Sequence, residues 1–97
     1  MSDVKLTVEA GADAHVARLE GELDLASVPS VERDVLAATA TAQRIVIDLS
    51  ELTWMDSTGL RMLDDLARRY EARGAKVRIL APADVPVFRS DGAYIIT

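Results

Sequence analysis

The chain has no cysteine, one histidine and only four aromatic residues among its 97, a single tryptophan with two tyrosines and one phenylalanine. Without cysteine there is no disulfide framework and no thiolate metal site, a composition that fits a reducing cytosol. One histidine and no acidic loop at calcium-binding spacing leave no other metal centre either, and no cofactor is expected. Scarce aromatics mean that aliphatic residues and alanine must fill the core, for which an apolar share of 49% is sufficient. Basic charge is in short supply: 11 Lys and Arg stand against 16 Asp and Glu, a formal net charge of −5. That balance excludes the basic stripe of a nucleic-acid footprint and disfavours an anionic membrane surface, so protein surfaces are the expected partners. No basic start followed by an apolar run opens the chain, and nowhere do about eighteen apolar residues run together. The expectation is a soluble, cytoplasmic protein without membrane insertion, with residues 1–97 forming one domain.

Two β segments come first. Val4, Leu6 and Val8 alternate with Lys5, Thr7 and Glu9, a period of two that turns one face inward. Ala10-Gly11-Ala12-Asp13 reads as a turn, and Val16, Ala17 and Leu19 carry the return strand toward Gly21. The period then changes: Val28, Val31, Val35 and Ala38 make the stripe of an amphipathic helix ending near 39–42, with Ser27 placed to cap it and Pro29 tolerated in its first turn. The run Ile45-Val46-Ile47 within 44–49 lacks alternation, as a central strand covered on both faces would. Beyond it, Leu60, Leu63, Ala67 and Tyr70 form a second helical stripe that stops at Gly74, with Arg61/Asp65, Asp64/Arg68 and Asp65/Arg69 spaced as i,i+4 pairs. Val77 and Ile79 mark another strand, 84–89 a short helix and 93–96 a terminal strand. The order ββαβαβαβ predicts an α/β domain, a mixed sheet with helices packed on it.

Between the central strand and the second helix lies Leu52-Thr53-Trp54-Met55-Asp56-Ser57-Thr58-Gly59-Leu60. It is read as a loop that puts a hydroxyl at a helix start, where the dipole favours an anion. From spacing alone, either Ser57 or Asp56 fits the capping position. Thr58 falls within the first turn. Gly59 is costly in a helix and is explained by close approach of a partner or of neighbouring backbone. Asp24 and Glu22 read as ordinary solvated charges, Asp48 as a strand-end residue held by hydrogen bonds, Arg68, Arg69 and Arg73 as a solvated face, and His15 as having no role.

The strand Ile45-Val46-Ile47-Asp48-Leu49-Ser50 joined to Met55-Asp56-Ser57-Thr58-Gly59-Leu60 resembles the signature of the STAS family, in particular its bacterial anti-sigma factor antagonists. Gly21-Glu22-Leu23-Asp24 and the closing Ser90-Asp91-Gly92 are similar to the family's opening and ending; Pro86 departs from its third helix. The resemblance implies that Ser57 accepts phosphate and that Asp24, Asp56, Ser57, Thr58, Gly59 and Leu60 meet the partner. It also implies a partner that is an anti-sigma factor with serine kinase activity and its own bound ATP, opposed by a phosphatase. The alternatives are a STAS subunit supporting a phospholipid-transporter ATPase and a module of a stressosome-like assembly.

Enzyme chemistry is not expected. The one histidine is far from Ser57 in sequence, no Gly-x-Ser-x-Gly elbow is present, and no glycine-rich phosphate loop follows a strand. A receiver domain that accepts phosphate on Asp48 would need an early acidic pair that this chain lacks.

Overall fold

A computed structural model describes residues 4–80 and the backbone of residues 95 and 96. In chain order the elements are β1 (Val4–Ala10), β2 (His15–Leu23), α1 (Val28–Ala38), β3 (Arg44–Met55), α2 (Ser57–Ala72), β4 (Lys76–Leu80) and β5 (Ile95–Ile96). The sheet runs β1-β2-β3-β4-β5, antiparallel at the first pair and parallel at the other three. This is the expected mixed α/β sheet. The expected helix at 84–89, with Pro86, the Ser90-Asp91-Gly92 ending, and positions 93, 94 and 97 lie outside the described residues.

The period-two strands form as the alternation dictates. Val4, Leu6 and Val8 of β1 pack against the core, where they meet Ala17, Leu19 and Leu23 of β2, all three fully buried. The turn between them closes through the Gly11 N–H donating to Ala14 O at 2.9 Å. The helices α1 and α2 touch each other, α1 also contacting β1 and α2 contacting β3 and β4, so both cover one face of the sheet. Accordingly the faces of β3 are unequal. Ile45, Ile47 and Leu49 are buried, Val46 is half-buried, and Asp48 pairs with Arg18 of β2 at 3.2 Å.

Several expectations need correction. Residues 50–55 are not a loop: β3 continues to Met55, pairing with β2 through two register shifts, between Arg18 and Glu20 and between Gly21 and Glu22. Gly21 has φ 108°, a left-handed conformation that glycine adopts freely, and its carbonyl accepts the Thr53 hydroxyl at 2.9 Å. Asp48 is therefore inside the strand rather than at its end. Ser27 holds the N-cap position of α1 in a helical backbone conformation, with no capping bond from its side chain. The stripe of α1 is Val28, Val31 and Val35, continued by buried Thr39, whereas Ala38 is exposed. On α2, Leu63, Ala67 and Tyr70 are buried as expected, joined by Met62 and Leu66, but Leu60 is not. Of the three i,i+4 pairs only Asp64–Arg68 closes among the described residues, at 2.9 Å, and at that exposure it adds little.

Arg73 belongs to the scaffold rather than to a solvated face. Its guanidinium donates to Ala42 O at 2.7 Å and Thr39 O at 2.9 Å, and its carbon lies 5.4 Å from the Tyr70 ring centroid. The Thr39 hydroxyl donates to Val35 O at 2.7 Å, so the Tyr70 hydroxyl, also at 2.7 Å, must donate to Thr39 Oγ1. The end of α1 is thus tied to the end of α2. The segment closes at Gly74, with φ 81° and its N–H on Glu71 O.

Candidate functional site

The parallel strands β2 and β3 end side by side. Leu23 pairs with Met55, and the Asp56 N–H donates to Leu23 O at 3.2 Å. The chain segments leaving these two strands, Asp24-Leu25 and Asp56-Ser57, therefore emerge next to each other at one end of the sheet. Asp56 is the N-cap of α2. Its backbone is extended, with φ −104° and ψ −172°, and Oδ1 accepts the N–H groups of Thr58 at 2.9 Å and Gly59 at 3.2 Å. That answers which residue caps. Ser57 is the first helical residue, exposed, and its side chain takes no part in the cap.

Thr58 is half-buried behind Ser57. Gly59 is buried, and a Cβ there would stand 2.6 Å from Met55 Cγ and 3.1 Å from Leu23 Cδ2. Its close neighbours within the chain are these side chains rather than backbone, and the missing Cβ lets α2 lie directly on the strand ends. Leu60, 37% exposed, faces out from the first turn.

Asp24 is neither free nor simply solvated. Its Oδ1 accepts from the N–H groups of Ala26 and Ser27, both at 3.1 Å, and lies 3.2 Å from the Ser27 hydroxyl. In return the Asp24 N–H donates to Ser27 Oγ at 2.9 Å. Such local side-chain bonds hold a non-helical turn ahead of α1. Glu22 is exposed and pairs in register with Trp54.

Two large apolar residues lie at the surface at this end: Trp54 is 56% exposed and Leu25 is 72% exposed. Alternation past Leu52 would have placed Trp54 on the core side; the second register shift breaks that pattern. No signal in sequence marks Leu25, since a leucine following an inward-facing Leu23 at i+2 reads equally as core.

Away from this end, burial tends to raise the Asp48 pKa, but hydrogen bonds from the Ser50 hydroxyl and N–H, with the Arg18 guanidinium, outweigh it and hold the carboxyl below its usual range. Burial pushes the Tyr70 hydroxyl up, against the opposing Thr39 bond and Arg73 charge. Among the described residues no group of three or more His, Cys, Asp or Glu is placed to hold a metal, and no helix is long and apolar enough to cross a membrane.

The STAS domain, as a sequence family, matches residues 5–88. The chain belongs to the STAS domain family. No curated protein matches this STAS domain at a significant level. Among solved structures it is similar to the anti-sigma factor antagonist SpoIIAA in its unphosphorylated form, with 25% identity, a TM-score of 0.67, and 82% of this chain and 72% of that one covered. An anti-sigma factor antagonist from Mycobacterium paratuberculosis aligns at 28% identity and TM-score 0.69, covering 81% and 68% respectively. The STAS domain of an antisigma-factor antagonist from Rhodobacter sphaeroides aligns at 32% identity and TM-score 0.63, covering 78% and 84%.

Proposed function

We propose that this STAS domain is an anti-sigma factor antagonist switched by phosphorylation of Ser57. In its unphosphorylated form it binds an anti-sigma factor in the cytoplasm and so releases the sigma factor. The partner is itself the serine kinase and brings the ATP; a phosphatase restores the binding form. The protein performs no chemistry of its own.

One observation carries the reading: Asp56 takes over the capping of α2, which leaves the Ser57 hydroxyl exposed at the helix start and free for another use. A phosphate there adds about −1.5 to −2 charge at the positive end of the helix dipole, where the fold accepts it. A partner surface packed against a bare hydroxyl does not, because added bulk and desolvated charge at a contact centre weaken binding. The switch is local and asks for no rearrangement of the sheet. Similarity to three antagonists supports the choice of function over other uses of the fold.

Incubation with the cognate anti-sigma kinase, ATP and magnesium, followed by tandem mass spectrometry, tests it. One phosphate on Ser57, abolished in Ser57→Ala, is expected. Phosphate on Thr58, or labelling that survives Ser57→Ala, contradicts the assignment. Co-purification with a membrane transporter ATPase or a large multi-copy assembly would favour the two alternatives.

A further inference from the structure

We propose that the free edge of β1 is an interface with a second copy of this chain: β1 pairs antiparallel with β1 of that copy about a two-fold axis at Thr7, joining two sheets into one. In the strand order β1 lies outermost, with β2 on its inner side. An edge strand turns half of its backbone N–H and C=O groups outward, and among the described residues no backbone bond outside the ladder with β2 reaches Val4–Ala10. Edges that stay solitary are kept short, or carry proline, a bulge or several lysines. β1 uses none of these. It runs seven residues without proline and with one lysine, and its register is unbroken from Val4 opposite Gly21 to Ala10 opposite His15.

The occupant is a second copy because the strand is complementary to itself. Paired about Thr7, Lys5 stands opposite Glu9 of the second copy and Glu9 opposite its Lys5, while Leu6 meets Val8, Val4 meets Ala10 and Thr7 meets its own counterpart. Residues directly opposite in an antiparallel pair share a face and touch. Val4, Leu6 and Val8 pack toward the core, so Lys5, Thr7 and Glu9 point to the face away from the helices, where the two ion pairs form. Lys5 and Glu9 are exposed and make no ion pair among the described residues. A register shifted by one pair in either direction shortens the ladder and leaves both charges without an opposite partner.

On the helix side of β1 the same register covers a groove. Val4 and Leu6 form one wall and Val31 and Asp34 of α1 the other, around a volume of about 390 Å³. Val8 and Ala10 of the second copy, opposite Leu6 and Val4, continue its apolar floor across the edge. Asp34, the charged residue on this wall, has the Arg33 guanidinium at 3.3 Å, so the axis does not bring bare carboxylates together. The formal charge of −5 opposes association at long range, and the local pairing must overcome it, so the dimer depends on concentration.

The test is sedimentation velocity on the full chain over a range of concentrations at one salt concentration, for wild type, Lys5→Glu, Glu9→Lys and an equimolar mixture of the two variants, with thermal unfolding followed in parallel. Wild type should pass from monomer to dimer as concentration rises. Each single variant should dimerise roughly tenfold or more weakly, because both facing pairs turn from opposite to like charge. The mixture sets opposite charges across the axis again and should recover wild-type dimerisation, with native mass spectrometry showing one copy of each variant per dimer. Glu9→Lys separates register from net charge, since it makes the chain less negative and yet should dimerise less. Glu9 lies opposite Val16 on β2, whereas Lys5 lies opposite Glu20, so Glu9→Lys carries the test alone should Lys5→Glu fail to fold. A wild type that is monomeric at every concentration overturns the proposal. So does a Glu9→Lys chain that dimerises as tightly as wild type or more so, or a mixture of folded variants no tighter than either alone.

Discussion

Replacing Asp56 and Ser57 separately by alanine should divide the fold's requirement from the switch's. The Asp56 carboxylate satisfies two of the orphan N–H groups of α2, those of Thr58 and Gly59, at 2.9 and 3.2 Å. Loss of such a cap costs about 0.5–2 kcal/mol, and removal of a negative charge from the helix start about 0.3–1 kcal/mol more. For a domain of this size each kcal/mol moves the thermal midpoint by about 4–8 °C, so Asp56→Ala should melt roughly 5–15 °C below wild type. Asp56→Asn keeps the acceptor and loses only the charge, and should fall between the two. Ser57→Ala removes a hydroxyl that takes no part in the cap and places a better helix former at the first helical position. Its midpoint should stay within about 3 °C of wild type, given a propensity difference of about 0.5 kcal/mol or less. Circular dichroism melts of the four proteins in one buffer decide the matter. A loss in Ser57→Ala as large as in Asp56→Ala would refute the division, since the serine hydroxyl would then be holding the helix.

Three further outcomes are expected. Gly59→Ala should destabilise by up to about 2 kcal/mol, because overpacking of about 1–3 kcal/mol against Met55 Cγ at 2.6 Å outweighs a helix-propensity gain of about 1 kcal/mol, and adding Met55→Ala should relieve part of the loss in a double-mutant cycle; a stabilised Gly59→Ala would show that no such close approach exists. The folded-state Asp48 carboxyl is held below its ordinary value of 3.8, so its contribution is fully present above that value and is lost as pH falls through the lowered one; the stability gap between wild type and Asp48→Asn should therefore narrow in strong acid, and a gap that stays constant would contradict the Arg18 and Ser50 contacts. Trp54, 56% exposed, should shift its emission to shorter wavelength when the partner covers it, and identical spectra for free and bound protein would remove Trp54 from the contact.

Most of the fold was legible because hydrophobic periodicity is a local signal. Val4, Leu6 and Val8 declared a half-buried strand, and Leu63, Ala67 and Tyr70 a helix face, without reference to anything distant. The exceptions are non-local. The extension of β3 through Trp54 and Met55 depends on β2 supplying two register shifts, one at Gly21, which no pattern within 50–55 reveals. The role of Arg73 depends on carbonyls of Thr39 and Ala42, more than thirty residues earlier, and so the arginine read as solvated. At the site, resemblance pointed to Ser57, but choosing between Ser57 and Asp56 as cap needed backbone geometry, because both residue types favour that position. Asp24 likewise read as a surface charge until its partners two and three residues downstream were seen.

Phosphate on Ser57 should lower affinity for the anti-sigma partner while the fold stays intact. The most direct measurement is a titration of the partner with one preparation of this STAS domain before and after stoichiometric phosphorylation at Ser57, at one salt concentration, because exposed charge effects are screened. Tight binding before modification and a loss of at least about tenfold after it, with unchanged thermal unfolding, is the predicted result. Equal affinity in the two states would contradict the claim, and so would a loss accompanied by unfolding of the domain.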